Sequence, residues 1–241
     1  MNTSPTLYLL SGGAAQGLFA QLRARFQAQV DARAGQGGCA IAGRFGAVGV
    51  MVDSLLSGAD CDVIILTQTL IDQLADLSFV RAGSARPLGI VKTGIAVKTG
   101  QPAPDVRTSA GLKAALLAAR GIYFPDPVKA TAGIHFMKVL EGLGIDGELA
   151  PKLRTFPNGA TAMREMAQSK EVGLIGCTQM TEILYTPGVE LIAKLPKKFE
   201  LATVYTAAVC SRAKHPELAA ELIELLSAQD TAQIRRDAGF E

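Results

Sequence analysis

Three basic side chains stand where they could do chemistry. His135 falls in the first turn suggested by "TAGIH", Lys92 interrupts the apolar stretch "RPLGIVKTGIAVKTG", and Arg44 precedes the turn "FGAVG". A histidine at a helix start suits a neutral acid–base more than a fixed cation. A lone lysine in an apolar strand is expensive unless it is paired, and an arginine beside a turn can clamp a carboxylate. His135 and Lys92 are therefore the candidate proton carriers, and both, with Arg44, are candidate counter-charges for an anion. Lys129 and Arg154 are cations of weaker placement. The competing reading makes Arg44 and Lys92 surface charges and His135 a hydrogen-bonded helix-start histidine. Thr67, Thr93, Thr131, Asn158, Thr178 and Gln179 are candidate neutral donors. Cys177 follows an apolar run and is a candidate for the same site, with an inert thiol as the alternative.

Four turns of small residues would receive such an anion. They are "SGGAA" (Ser11, Gly12, Gly13, Ala14), "FGAVG" (Ala47, Val48), "DPVKATAG" (Thr131, Ala132, Gly133) and "PNGATA" (Asn158, Gly159, Ala160). Each leads into a helix, whose first N–H groups and dipole favour negative charge. The alternative is that small residues merely let helix and strand pack closely. "SGGAAQG" lacks the G-x-G-x-x-G spacing of a dinucleotide site, and neither a P-loop nor a G-x-S-x-G elbow occurs.

These turns need strands before them and helices after them, and the pattern supplies both. "TLYLLS", "GCAIAGRFG" and the near-continuous apolar "CDVIILT" read as strands. Between and after them come helix-like runs. One carries Leu18, Leu22, Phe26 and Val30 at helical spacing, "VGVMVDSLLSG" closes at Gly58, and "QTLIDQLADLSF" follows. "RPLGIVKTGIAVKTG" reads as one long bent strand pair or crossover. A second unit then alternates "SAGLKAALLAA", "GIYFPD", "TAGIHFMKVLEGLG" (capped by Thr131, closed by Gly144), "LRTFP", "GATAMREMAQSK" and "VGLIGCTQ". "ATVYTAAVCS" and the helix "HPELAAELIELLSA" complete the chain, with a short terminal helix. The order predicts an α/β protein of two doubly wound lobes with parallel sheets. Lobe 1 spans 1–90 plus 201–241 and lobe 2 spans 91–200. Two crossing segments would form a hinge, with a ligand cleft between the lobes.

Composition excludes several classes. With 24 basic and 22 acidic residues, the net charge of +2 shows no basic excess for nucleic acid. No apolar run approaches the length of a membrane span. The start "MNTSPT" has no basic or apolar leader pattern, which predicts a cytoplasmic chain. A trimmed exported precursor given a new Met would be periplasmic instead, and only then would a transporter permease be a partner. Cys39, Cys61, Cys177 and Cys210 are far apart, which predicts buried free thiols and a reducing compartment. Two histidines at these spacings predict no zinc site, and no cofactor is expected.

Along nearly its whole length the chain resembles the periplasmic molybdate-binding family of substrate-binding proteins. The resemblance rests on "SGGAA", "FGAVG" with "LLSGADCDVIILT", "DPVKATAGIHFMKVLEGLG" and, most specifically, "VYTAAVCSRAKHPELAAELIELLSAQDTAQIRRDAGF". It implies a type 2 periplasmic-binding-protein fold. It also implies a site of backbone N–H groups and hydroxyls, and here the chain departs. Gly13 stands where the family places a serine, Ala47 and Val48 stand near a second serine, and Gly176 stands in place of a tyrosine. The backbone donors near Ala132 and Gly159 remain. Loss of three hydroxyls argues against molybdate, because buried charge needs its oxygens paired. It also removes side-chain volume, which suggests a larger anion such as a di- or tricarboxylate.

Two functions follow. One is a carboxylate-binding protein without chemistry. The other is a cofactor-free isomerase, because aconitate isomerase resembles the same family. Its allylic proton transfer needs carboxylate clamps and one group that removes and returns a proton, and lobe closure would exclude water. Molybdate or tungstate binding for an ABC transporter is the third reading.

Overall fold

The computed structural model describes residues 5–34 and 38–241. The expectation about a leader falls partly on residues 1–4, which lie outside the described residues. The chain divides into two compact units. Unit 1 runs to Ile90 and resumes at Thr203–Glu241, and unit 2 is Val91–Ala202.

Unit 1 begins with β1 (Thr6–Gly12), a 3-10 turn over Gly13–Ala15 and α1 (Gln16–Ala34). In α1, Leu18, Leu22, Phe26 and Val30 are buried along one stripe, as their spacing requires. Then come β2 (Ala40–Gly46), α2 (Val48–Leu56), β3 (Val63–Thr67) and α3 (Gln68–Asp76). Gly58 takes φ +88° just beyond α2, a conformation cheap only for glycine. The long strand β4 (Arg86–Lys98) carries the chain into unit 2.

Unit 2 continues with α4 (Ser109–Ala118), β5 (Gly121–Pro125), α5 (Thr131–Leu143), α6 (Asp146–Leu149) and β6 (Leu153–Phe156). α7 (Gly159–Gln168), β7 (Leu174–Gln179), α8 (Met180–Tyr185) and β8 (Val189–Lys194) follow. The chain returns to unit 1 in β9 (Ala202–Val209) and ends with α9 (Pro216–Ser227) and α10 (Ala232–Asp237).

Each unit contains the same parallel arrangement. In unit 1, β1 lies between β2 and β3, and in unit 2, β5 lies between β6 and β7, all parallel. The sheets are nevertheless mixed rather than wholly parallel. β9 adds antiparallel to β3, and β4 pairs antiparallel with both β7 and β8. Neither β4 nor β9 is delivered by a crossover helix within its unit. Such a connection is what makes neighbours parallel.

Two further corrections concern local signals. Thr131 does not cap α5. Ala130 holds the N-cap position with no side-chain bond, and Thr131 is the first helical residue. The Asp126 carboxylate instead accepts the amides of Val128 and Lys129 just upstream. Gly144 closes α5 in the left-handed conformation (φ 64°), as expected. The short elements α8 and β8 escape a periodicity reading, because six residues span too few turns or pleats for a pattern.

Tight packing positions the turns. A Cβ on Gly133 would lie 2.3 Å from the Pro125 carbonyl and 2.2 Å from that of Asp126. Only glycine lets α5 approach the end of β5 so closely. Beneath it, Phe124 and Phe136 pack edge to face at 5.2 Å within an apolar core that includes Ile95, Leu116, Leu140 and Cys177.

Candidate functional site

A strand flanked on both sides by parallel neighbours that run in opposite sequence directions marks a switch point. Ligands of open α/β sheets sit there, outside the carboxyl ends of the strands. In unit 1 this is the end of β1 beside β3, and in unit 2 the end of β5 beside β7.

In unit 1 the turn after β1 is buried at Gly13 and Ala14. The Ser11 hydroxyl donates to the Gly12 carbonyl at 2.9 Å, so it serves its own strand. A Cβ on Gly12 would lie 2.9 Å from Val48 and 3.0 Å from the Tyr205 ring. Val48 and Tyr205 therefore fill the space beside this glycine. Ala47 and Thr67 hold the N-cap positions of α2 and α3, and neither caps through a side chain. Arg44 is not brought to this group. It lies exposed on β2, with its guanidinium 3.3 Å from the Ser54 hydroxyl.

Side chains alternate between the faces of β7. Gly176 and Thr178 face α7, where a Cβ on Gly176 would lie 2.5 Å from Met163 and 3.1 Å from Met166. The volume a tyrosine would occupy is filled by methionine, which adapts to such gaps. This overturns the expectation that the small residue at 176 leaves room for a ligand. Cys177 faces the opposite way into the apolar core and is fully buried. Burial pushes its thiol well above the ordinary range. It is a core residue.

Gln179 and Thr93 stand opposite one another across the β7–β4 ladder. Both are buried, as is Thr181 two residues on. The Thr93 hydroxyl, both ends of the Gln179 amide and the Thr181 hydroxyl are buried with no hydrogen-bond partner among the described residues. More than nine in ten buried polar groups in proteins are paired, so this concentration at one strand end calls for a partner.

The turn before α7 is already engaged. Asn158 caps it, accepting the Thr161 amide at 2.8 Å. Glu182, 5% exposed, accepts the Thr178 hydroxyl at 2.5 Å, and a Cβ on Gly159 would lie 2.0 Å from its Oε2. Burial drives this carboxyl above the usual range, and the Thr178 hydroxyl with the neighbouring backbone draws it part of the way back. Glu182 and Thr181 escape the sequence reading. The available signal was an acidic residue four positions after Thr178, in an otherwise apolar run.

The cations find partners inside unit 2. Lys92 pairs with Glu200 at 3.4 Å. Glu200 also receives Lys197 at 2.7 Å, and these cations hold its carboxyl below the usual range, Lys197 more strongly. Arg154 makes a two-pronged bridge to Glu171 and donates to the Tyr123 hydroxyl. Lys129 is exposed. His135 is half-buried, and its Nε2 lies 2.7 Å from the Phe199 carbonyl. A carbonyl cannot donate, so Nε2 carries the proton. Ala132 and Gly133 are buried at the start of α5.

A cavity of about 350 Å³ in unit 1 is not part of this arrangement. It is lined by Asp60, Cys61, Phe79, Cys210 and Arg212 among others, at the amino end of β3, opposite Thr67. Among the described residues no helix is long and apolar enough to cross a membrane.

Two α/β units, each with a parallel three-strand core and small-residue turns at its strand ends, make up the type 2 periplasmic-binding-protein fold. Residues 7–241 match the family of bacterial extracellular solute-binding proteins, and the chain belongs to it. It is similar to the periplasmic molybdate-binding protein of Azotobacter vinelandii (TM-score 0.75, 17% identity, 98% of each chain covered). A protein from Geobacter sulfurreducens described as a tungstate ABC transporter is also similar (TM-score 0.66, 16% identity, 98% of this chain and 100% of that one). A curated relative, aconitate isomerase from a Pseudomonas species, is 27% identical over 183 residues, 74% of this chain. The match spans 66% of that protein's length.

Proposed function

We propose that this chain binds a small di- or tricarboxylate at the carboxyl ends of its central strands. The observation that carries the reading is the group of unpartnered polar side chains on Thr93, Gln179 and Thr181. Neutral hydroxyl and amide donors pair well with carboxylate oxygens. The small residues Gly13, Ala47 and Gly176, which stand where the resemblance to molybdate-binding proteins implies hydroxyls, support an organic anion over molybdate or tungstate. In unit 1 the proposed binding residues are Ser11, Gly12, Gly13, Ala14, Ala47, Val48 and Thr67. In unit 2 the proposed residues are Lys92, Thr93, Thr131, Ala132, Gly133, His135, Asn158, Gly159, Ala160 and Gln179. Family membership supports an extracytoplasmic place of action with a transporter permease as partner.

The relation to aconitate isomerase favours a second reading, a cofactor-free isomerase acting on a tricarboxylate. His135 is then the proton carrier, through the ring nitrogen not bonded to Phe199, with Lys92 the alternative. Incubation with trans-aconitate in deuterated water separates the two readings. Conversion or deuterium incorporation in the proton spectrum establishes the isomerase. Tight binding with neither establishes the binding protein. Thermal shifts with citrate, the aconitates, molybdate and tungstate rank the ligands, and a dominant molybdate shift overturns the carboxylate reading.

A further inference from the structure

A carboxyl group of the protein itself sits on the N-terminus of α7, and the first amides of that helix can be counted one by one. Thr161 donates to the Asn158 side chain, Ala162 donates to the Asn158 carbonyl at 3.0 Å, and the Glu182 carboxyl lies directly beside Gly159. Two of the groups that make a helix start an anion site are therefore used within the protein, and a carboxyl crowds the remaining end. The Thr178 hydroxyl, a natural fourth donor for an oxyanion, is consumed too. The fit is close: a Cβ on Gly159 would lie 2.0 Å from both Glu182 Oε2 and Thr178 Oγ1. Thus the glycine makes space for the resident carboxyl.

We propose that Glu182 is a built-in occupant of the oxyanion position at the start of α7, and that it sets specificity by excluding compact tetrahedral oxyanions. A compact dianion, whose oxygens must all be paired at one point, would meet carboxyl oxygens there instead of donors, and unpaired buried charge is costly; an extended carboxylate can place its charged groups elsewhere. What unit 2 still offers nearby is neutral, namely Thr93, Gln179 and Thr181. The inference deepens the carboxylate reading by naming the residue that turns the turn before α7 away from inorganic anions. It rests on that reading only in taking this turn as part of the binding surface.

The test compares wild type with Glu182→Ala and Glu182→Gln by calorimetric titration with molybdate and by thermal shift with formate. Alanine opens the position, so molybdate should bind at least about tenfold tighter than to wild type, and formate should raise the melting temperature of this variant alone. Glutamine keeps the position filled and should gain neither effect. A folded Glu182→Ala protein that binds molybdate no tighter than wild type overturns the proposal, as does an equal gain in Glu182→Gln. Should the alanine variant not fold, amide spectra of wild type and Glu182→Gln decide. The Gly159, Ala160 and Gln179 resonances should move most, and their constancy overturns the assignment. Titration of wild type with trans-aconitate runs in parallel. Its failure counts against the carboxylate reading and leaves the Glu182 comparison intact.

Discussion

His135 Nε2 lies 2.7 Å from the carbonyl oxygen of Phe199, 64 residues away. The bond ties the first turn of α5 to the 3-10 turn Lys197–Phe199 just before the chain leaves unit 2. His135→Ala should cost about 1 kcal/mol in urea unfolding, the worth of one half-buried hydrogen bond. If the isomerase reading holds, His135→Ala should also slow deuterium exchange into aconitate about 100-fold or more. An unchanged rate removes His135 as proton carrier.

Lys92 is compensated by Glu200, which Lys197 also holds. A cation with a partner already in place can still turn to a ligand, since Lys197 remains to balance Glu200. Lys92→Met should weaken carboxylate binding about tenfold, read by calorimetric titration. Equal affinity in the variant makes Lys92–Glu200 a structural pair only.

Carboxyl groups here pull the pH dependence of stability in opposite directions. Glu171, held low by Arg154, contributes stability that is present above the ordinary glutamate value and lost as pH falls through its lower folded value. Glu182 is raised, mainly by burial, so the sign reverses. Its contribution is fully present below about 4.5 and declines as pH rises toward its higher folded value. The melting temperature of Glu182→Gln relative to wild type should therefore rise between pH 4.5 and 7.5. A constant difference shows that Glu182 titrates normally.

Gly159 and Gly176 should respond unequally to alanine. At Gly159 the new methyl meets a carboxyl and a hydroxyl that are themselves fixed by hydrogen bonds, at 2.0 Å. At Gly176 it meets the flexible end of Met163 at 2.5 Å. Gly159→Ala should cost about 2–4 kcal/mol and Gly176→Ala about 1, measured by denaturant unfolding. The reverse order contradicts the packing described.

All four cysteines are buried and free, and Cys61 and Cys210 approach to 3.2 Å. Hydrogen bonding to Cys61 and burial push the Cys210 thiol up, and burial pushes Cys39 up. Thiolates are the reactive form, so a colorimetric thiol reagent at neutral pH should find almost none in the native protein. In urea it should find four. Rapid native reaction would mean that these residues open readily.

The elements that carry the site were legible from local pattern. Apolar periodicity marked β3, α1 and β7, and small residues marked the turns before α5 and α7, because both signals act over a few neighbouring residues. Strand direction was not, since β4 and β9 lack the crossover helices that a reader counts. The state of the candidate site was decided by tertiary structure. Lys92 has its charge balanced by a residue 108 positions away. Tyr205 fills the space beside Gly12, 193 positions away. Glu182 fills the space beside Gly159. Sequence determines which donors, charges and gaps a chain possesses. Only folding decides which of them satisfy one another, because at hydrogen-bond and van der Waals range partners are chosen by position in space rather than along the chain.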